Sequence, residues 1–387
     1  MRRQLLLFAL LLAGLTSAYA TEATLSIANV QHAAPGYKGS FDIVLSGGDV
    51  RYSGYQFDLT LPDGLTYTSF EAGELLTGYS ALTVTQPTGY AALNKWRFLG
   101  YDANGPLTLS ADNGKLLTVY FSVDEGTSVG NVDATFSEIN FTDIESNNHV
   151  LTAGSGTIAI TKNVLLDEDA TTAPAALDGA TVTVNRSFAA GQWLTVCLPF
   201  AMTASQVTTT FGSGVKLGDF AGYEKVGTAI SVNFTSATAI VANHPYIIKV
   251  ESAVDGFTLA ETVDIAPVAN PMNNKGDNAD TDIKAIVGVY NPTTLDANML
   301  YLKSGSFKYS AGSSKLKGYR AYFNFCDFDP SADSRTLTID YLDQATGIHE
   351  LNRLDTDDSR SFDLQGRPMK SGQKGVRIVN GKKILNK

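Results

Sequence analysis

The stretch that most limits what this chain can become is Tyr52–Leu65, YSGYQFDLTLPDGL. Tyr55, Phe57, Leu59 and Leu61 alternate with Gln56, Asp58 and Thr60. A period of two sends side chains to opposite sides of a strand, so four large apolar groups share one face and the polar ones the other. Pro62-Asp63-Gly64 then stops the run, because Pro lacks a backbone donor and Gly permits positive φ. A strand with one face for a core and one face free is half of a two-layer sandwich. The same alternation recurs in Phe41, Ile43 and Leu45 and in Leu117, Val119, Phe121 and Val123. Shorter strands are expected over Trp96–Tyr101, Val132–Ile139 and Thr157–Ile160, with Gly-, Asn- and Asp-rich turns between them. Many short alternating strands without an amphipathic helix read as a sandwich or jelly roll.

The chain opens with Met1-Arg2-Arg3, the apolar run Leu5–Leu15 and Ser17-Ala18-Tyr19-Ala20. A basic start, a short apolar segment and small residues before a cut are the parts of a signal peptide, so cleavage is expected after Ala20. The run is shorter than the about 20 residues that span a bilayer, and no second long apolar stretch follows, so no transmembrane anchor is expected. The expected location is secreted or cell surface. The net charge of -10 argues against nucleic acid, which calls for a basic footprint. The rest of the 387 residues exceeds one core and divides, on strand content and a polar junction near Thr161–Asp178, into three parts. These are a sandwich over 21–162, a second β-rich domain over 163–341, and a linker with a β tail over 342–387.

The order of features in the first part resembles a cohesin, or the related jelly-roll carbohydrate-binding modules. GYQFDLTLPDGL is followed by FEAGELL (Phe70–Leu76), RFLGYD (Arg97–Asp102), NGKLLTVYFSV (Asn113–Val123) and FTDIESNNHVLTAGSGTIAI (Phe141–Ile160). The turn at Leu61–Gly64 is one residue shorter than the cohesin pattern. The resemblance implies that the sheet face of the Tyr52 strand receives a protein partner, a dockerin-like module or another surface protein, across Gln56, Asp58 and Thr60. The residues alone leave two readings of that face open, a docking surface and a solvated one. A separate candidate is aromatic: Trp96 and Tyr101, with Tyr79 and Tyr90, could stack on the faces of a polysaccharide if exposed. The expected function is therefore non-catalytic scaffolding or adhesion, with carbohydrate binding as the alternative.

Other chemistry finds little purchase. Cys197 and Cys326 are compatible with one disulfide or with two half-buried thiols. His32, His149, His244 and His349 lack ligand spacing, so no metal and no cofactor are expected. The acidic runs Asp277–Asp282 and Asp327–Asp329 do not follow a calcium-loop pattern and read as solvated loops. No nucleophile elbow, zinc-protease helix or phosphate loop is present, which favours a non-enzyme. Segments GQWLTVCLPFAM, ANHPYIIKV and GYRAYFNF of the second part resemble a β-rich module common in exported proteins of anaerobic outer-membrane bacteria. Near the end, SFDLQGR and GVRIVNGKKILNK flank a polar break, and Asn380-Gly381 is a strong hairpin signal. This tail resembles the sorting tails read by the type IX secretion system, with Arg377 where an aromatic is usual. The expected fold class is all-β: a cohesin-like jelly-roll sandwich, a second β-sandwich-like domain and a short C-terminal β-hairpin tail.

Overall fold

A computed structural model describes residues 21–101, 108–226, 229–277, 283–325 and 336–342, together with four short strands between residues 361 and 386. The N-terminal part is a jelly-roll sandwich of two facing five-stranded sheets. Its strands are β1 (Thr24–Gln31), β2 (Lys38–Ser46), β3 (Tyr52–Thr60), β4 (Leu65–Ala72), β5 (Ala81–Thr85), β6 (Lys95–Tyr101), β7 (Gly114–Val123), β8 (Gly130–Asp133), β9 (Thr135–Asp143), β10 (Asn148–Val150), β11 (Thr152–Ala153) and β12 (Thr157–Ile160). One sheet runs β11-β1-β2-β7-β4 and the other β10-β9-β3-β6-β5, while β8 and β12 form a separate pair.

The alternation read in the sequence decides how the layers meet. Tyr55, Phe57, Leu59 and Leu61 are all buried, and Phe41, Ile43, Leu45, Val119 and Phe121 meet them from the opposite sheet. Phe57 stacks on Phe98 of the neighbouring strand at 5.0 Å between ring centroids and 7° between planes. Tyr55 fits because the residue facing it on β6 is Gly100, where a Cβ would lie 2.2 Å from the Tyr55 ring. One expectation is corrected here. The run Val132–Ile139 is two strands, since Ala134 separates β8 from β9 and the two pair in different sheets.

The described residues of 163–342 are also built mainly of β-strands, with one short helix. One core gathers Val182, Val184, Leu198, Phe200 and Ile248, and a further one Phe220, Phe234, Ile286 and Phe323. Val182 and Val184 stand on a four-stranded sheet, Ile248 and the side chains of the further core on two five-stranded sheets, and Leu198 and Phe200 enter from a loop. Ala34 and Tyr37 of the first sandwich pack into the earlier of these cores, and the Tyr37 hydroxyl donates to the carbonyl of Ala175. Arg186 is buried, donates to the carbonyls of Tyr319 and Thr195, and lies 4.4 Å from the centre of the Phe188 ring.

By intrinsic propensity the threonine run of Val207–Phe211 is a poor helix, yet α1 (Ala204–Phe211) forms. Thr203 and Gln206 make a reciprocal capping box at its start, and Val207 and Phe211 bury one stripe. Cys197 is a fully buried free thiol within the apolar core, not the half-buried thiol of one of the two expectations, and burial pushes its pKa up to about 12. Cys326, the expected signal segment Met1–Ala20, residues 278–282 of the first acidic run and the second run Asp327–Asp329 lie outside the described residues. In the tail, Gly375–Val379 and Lys382–Asn386 pair antiparallel with Val379 opposite Lys382, the register of a two-residue hairpin loop.

Phe57 of β3 is fully buried in the core between the sheets. Truncating it by Phe57→Ala is expected to cost about 3–5 kcal/mol of unfolding free energy in urea titration. A loss below about 1 kcal/mol would mean that the two sheets do not close on this ring.

Candidate functional site

The outward side of β3 carries Gly54, Gln56, Asp58 and Thr60, and its neighbours β6 and β9 set what stands beside each. In the ladder, Gly54 faces Tyr101 and Thr142, Gln56 faces Leu99 and Asn140, Asp58 faces Arg97 and Ser137, and Thr60 faces Lys95 and Thr135. The face therefore has two unlike halves.

Around Asp58 the surface is closed. Its carboxylate is fully buried, which corrects the expectation that Asp58 is offered to a partner. Arg97 Nε donates to Oδ1 at 2.7 Å and Arg97 Nη2 to Oδ2 at 3.1 Å, while the Tyr90 hydroxyl donates to Oδ2 at 2.6 Å. Lys95 Nζ lies 3.7 Å away, donates to Ser137 at 3.1 Å, and sits 5.1 Å from the Tyr90 ring centre. The cause is the chain from Thr85 to Lys95, which folds Tyr90 back over the sheet. Burial alone would raise the Asp58 pKa, but the hydrogen bonds from Arg97 and Tyr90 and the nearby charges of Arg97 and Lys95 outweigh it and hold the carboxyl below its ordinary value.

Around Gly54 the surface is open. A shallow recess of about 420 Å³ is bordered by Gly54, Gln56, Leu99, Tyr101, Asn140 and Thr142. Tyr101 is 48% exposed beside Gly54, and Val150 of β10, opposite Asn140, is 69% exposed. A Cβ added at Gly54 would meet nothing closer than 3.4 Å, so the missing side chain leaves a low floor rather than relieving a clash. Gln56 and Tyr101, which the sequence reading assigned to two separate candidate surfaces, border one recess, and Thr60 lies half-buried at the far end of the strand. Leu99, Asn140 and Thr142 were missed, although the parity of Arg97, Leu99 and Tyr101 along β6 marks one side.

That same parity moves Trp96 elsewhere. It faces Leu59 across the ladder, packs against Tyr67 at 4.6 Å, and keeps its indole N–H buried without a protein partner. Trp96 is core packing, and no flat strip with Tyr101 forms, because adjacent parity puts the two rings on opposite sides of the sheet. Tyr90 is likewise committed to Asp58, and Tyr79 packs on the core.

A second polar cluster closes the edge of this sheet. His149 Nδ1 lies 2.7 Å from Glu22 Oε1 and its Nε2 lies 3.0 Å from Asp143 Oδ2, while the Tyr52 hydroxyl donates to Glu22 at 2.8 Å. Hydrogen bonds from His149 and Asn147 hold the Asp143 carboxyl far below its usual range, and the bonds to Asp143 and Glu22 raise the His149 imidazole above its own. The cluster ties the first described residues to the β9–β10 turn.

No protein-family model matches the chain, and no curated protein does. Among solved structures it is similar to the sixth cohesin of scaffoldin B from Acetivibrio cellulolyticus, solved in complex with a Cel5 dockerin mutant, at 18% identity and TM-score 0.31 over 36% of this chain and 100% of that one. It is similar to a non-cellulosomal cohesin from the archaeon Archaeoglobus fulgidus at 20% identity and TM-score 0.29, over 36% of this chain and 92% of that one. It is similar also to a type I cohesin from Pseudobacteroides cellulosolvens at 17% identity and TM-score 0.30, with the same two shares. The matched share corresponds to the two-sheet jelly roll of residues 24–160.

Two outcomes are expected of these clusters. Asp58 has a depressed folded pKa, so its contribution is present above the unfolded value of about 4 and is lost as pH falls through that region. Asp58→Asn is therefore expected to flatten the drop in thermal midpoint between about pH 5 and pH 3; an unchanged drop would contradict the pairing. His149 has a raised folded pKa, so its contribution is present below about 6.5 and is lost as pH rises through the higher folded value. Calorimetry from about pH 6 to pH 8 is expected to show the wild type losing a few degrees more than His149→Gln, and parallel curves would remove the clasp.

Proposed function

We propose that this is an exported binding protein whose first sandwich docks another protein on the outward side of β3, β6 and β9. The observation that carries the reading is the open half of that sheet: a recess floored by Gly54 with Tyr101 standing at its edge. A β platform with an exposed aromatic anchor, amide groups at Gln56 and Asn140 and the Thr142 hydroxyl at its border fits the anatomy of protein interfaces. The order of cohesin-like motifs in the sequence supports a dockerin-like module as the occupant. The buried Asp58 network is the foundation of the surface rather than a contact: it closes the half of the face next to the recess.

The reading is non-catalytic because, among the described residues, the carboxylates with displaced pKa values are held by structural partners. Asp58 is committed to Arg97 and Tyr90, and Asp143 to His149 and Asn147. The basic start, apolar run and Ser17–Ala20 site support export and a secreted or cell-surface location. The tail hairpin supports a sorting role for the C-terminus.

The test uses a substitution that fills the floor without disturbing the core. Chain 21–387 carrying Gly54→Arg is expected to keep its thermal midpoint within a few degrees, since the Cβ position is free of close contacts. Immobilised wild type exposed to secreted proteins of its own host should capture a protein whose binding falls about tenfold or more with Gly54→Arg, confirmed by calorimetric titration with the purified partner. Equal capture by both forms would sink the proposal.

A further inference from the structure

The opposite sheet of the sandwich is not open. Its outward side, on β2 and β7, faces residues 165–175, and a cleft of about 680 Å³ lies between them. That volume is within the roughly 300–1,000 Å³ typical of small-ligand sites. The floor is a ladder of polar residues, with Lys38 opposite Ser122 and Ser40 opposite Tyr120. The facing wall is held in place. The Tyr37 hydroxyl donates to Ala175, Thr161 N donates to Ala33 at 2.7 Å, Asn291 donates to Thr171 at 3.3 Å, and buried Tyr319 closes the base.

The chemistry of the lining selects a ligand. Glu125, Asp167 and Asp169 border the cleft with Lys38 as the facing cation, so phosphates and acidic polymers are disfavoured. Lys317 binds Asp169 at 2.8 Å, which leaves the lining near neutrality and disfavours a polycation as well. Hydroxyls come from Ser40, Ser122, Thr171 and Thr172. The Tyr120 ring is pinned, its hydroxyl donating to Glu71 at 3.0 Å. His32 stands at the rim with positive φ and an Nδ1 that is buried without a protein partner.

We propose that this junction cleft binds a neutral saccharide of one or two sugar units, at a site separate from the docking face. Sugar hydroxyls would donate to Asp167 and Glu125 and accept from the serine and threonine hydroxyls, while a C–H face packs on Tyr120. The aromatic needed for such packing is thus Tyr120 in the cleft rather than Trp96.

Saturation-transfer NMR on chain 21–387 with cellobiose, lactose, mannobiose and chitobiose, each at about 5 mM, tests the assignment. At least one disaccharide should bind, with affinity reduced about tenfold or more by Tyr120→Ala and abolished by Ala173→Trp, which obstructs the wall; Tyr120→Phe and Gly54→Arg should keep it. Circular dichroism identifies variants that fail to fold. The proposal is overturned if no sugar gives transfer, if both cleft variants bind like wild type, or if a tetralysine peptide binds more tightly than every sugar. Because Gly54→Arg reads the docking face independently, failure of one site is distinguishable from failure of the other.

Discussion

The contact on which the sandwich depends is the aromatic layer between its sheets, Tyr55, Phe57 and Phe141 stacked beside Phe98. Burying each ring fully is worth about 1.5–3 kcal/mol, and together they fix the register of β3. A slip of one residue would send all three inward groups of that strand into water and bring Gln56 and Asp58 into the core. Once the register is set, the outward positions are set too. Gly54, Gln56, Asp58 and Thr60 cannot lie elsewhere, and Gly100 must be opposite Tyr55 because no larger residue leaves room for the ring.

The two sheets then meet different fates. The β3 sheet keeps one half of its outer face open, since the loop before β6 reaches only as far as Asp58. The β2–β7 sheet is backed by residues 165–175, with Tyr37 inserted into the neighbouring core. A polar ladder on each outer face would be equivalent in an isolated sandwich. The later part of the chain breaks that equivalence, leaving a flat face suited to a macromolecule and a walled cleft suited to a small one.

Strand parity made the inward set of β3 legible in the sequence, along with the sandwich class and the tail hairpin, because alternation depends only on neighbours in the chain. Parity also contained the location of Trp96, in step with Phe98 and out of step with Tyr101, but surface exposure cannot be inferred from a ring's chemistry. Asp58 was not legible. Its burial depends on Tyr90 arriving from 32 residues away and on Arg97 standing opposite it, which are facts of sheet pairing. α1 was hidden by intrinsic propensity, although Thr203 and Gln206 spell the capping signal at the right spacing. Cys197 was misread because Thr195, Val196 and Cys197 break strict alternation where the strand ends at Val196 and the chain enters the core.

The central claim is that, in the free protein, the Gly54 half of the β3 sheet is bare while the β2–β7 sheet is backed. Hydroxyl-radical footprinting of the free chain 21–387, read by mass spectrometry of each tyrosine, measures this directly. Fast oxidation of Tyr101 alongside protection of Tyr37, Tyr52, Tyr55 and Tyr319 is the predicted pattern. Protection of Tyr101 at the level of Tyr55 would show the face to be covered and would contradict the account.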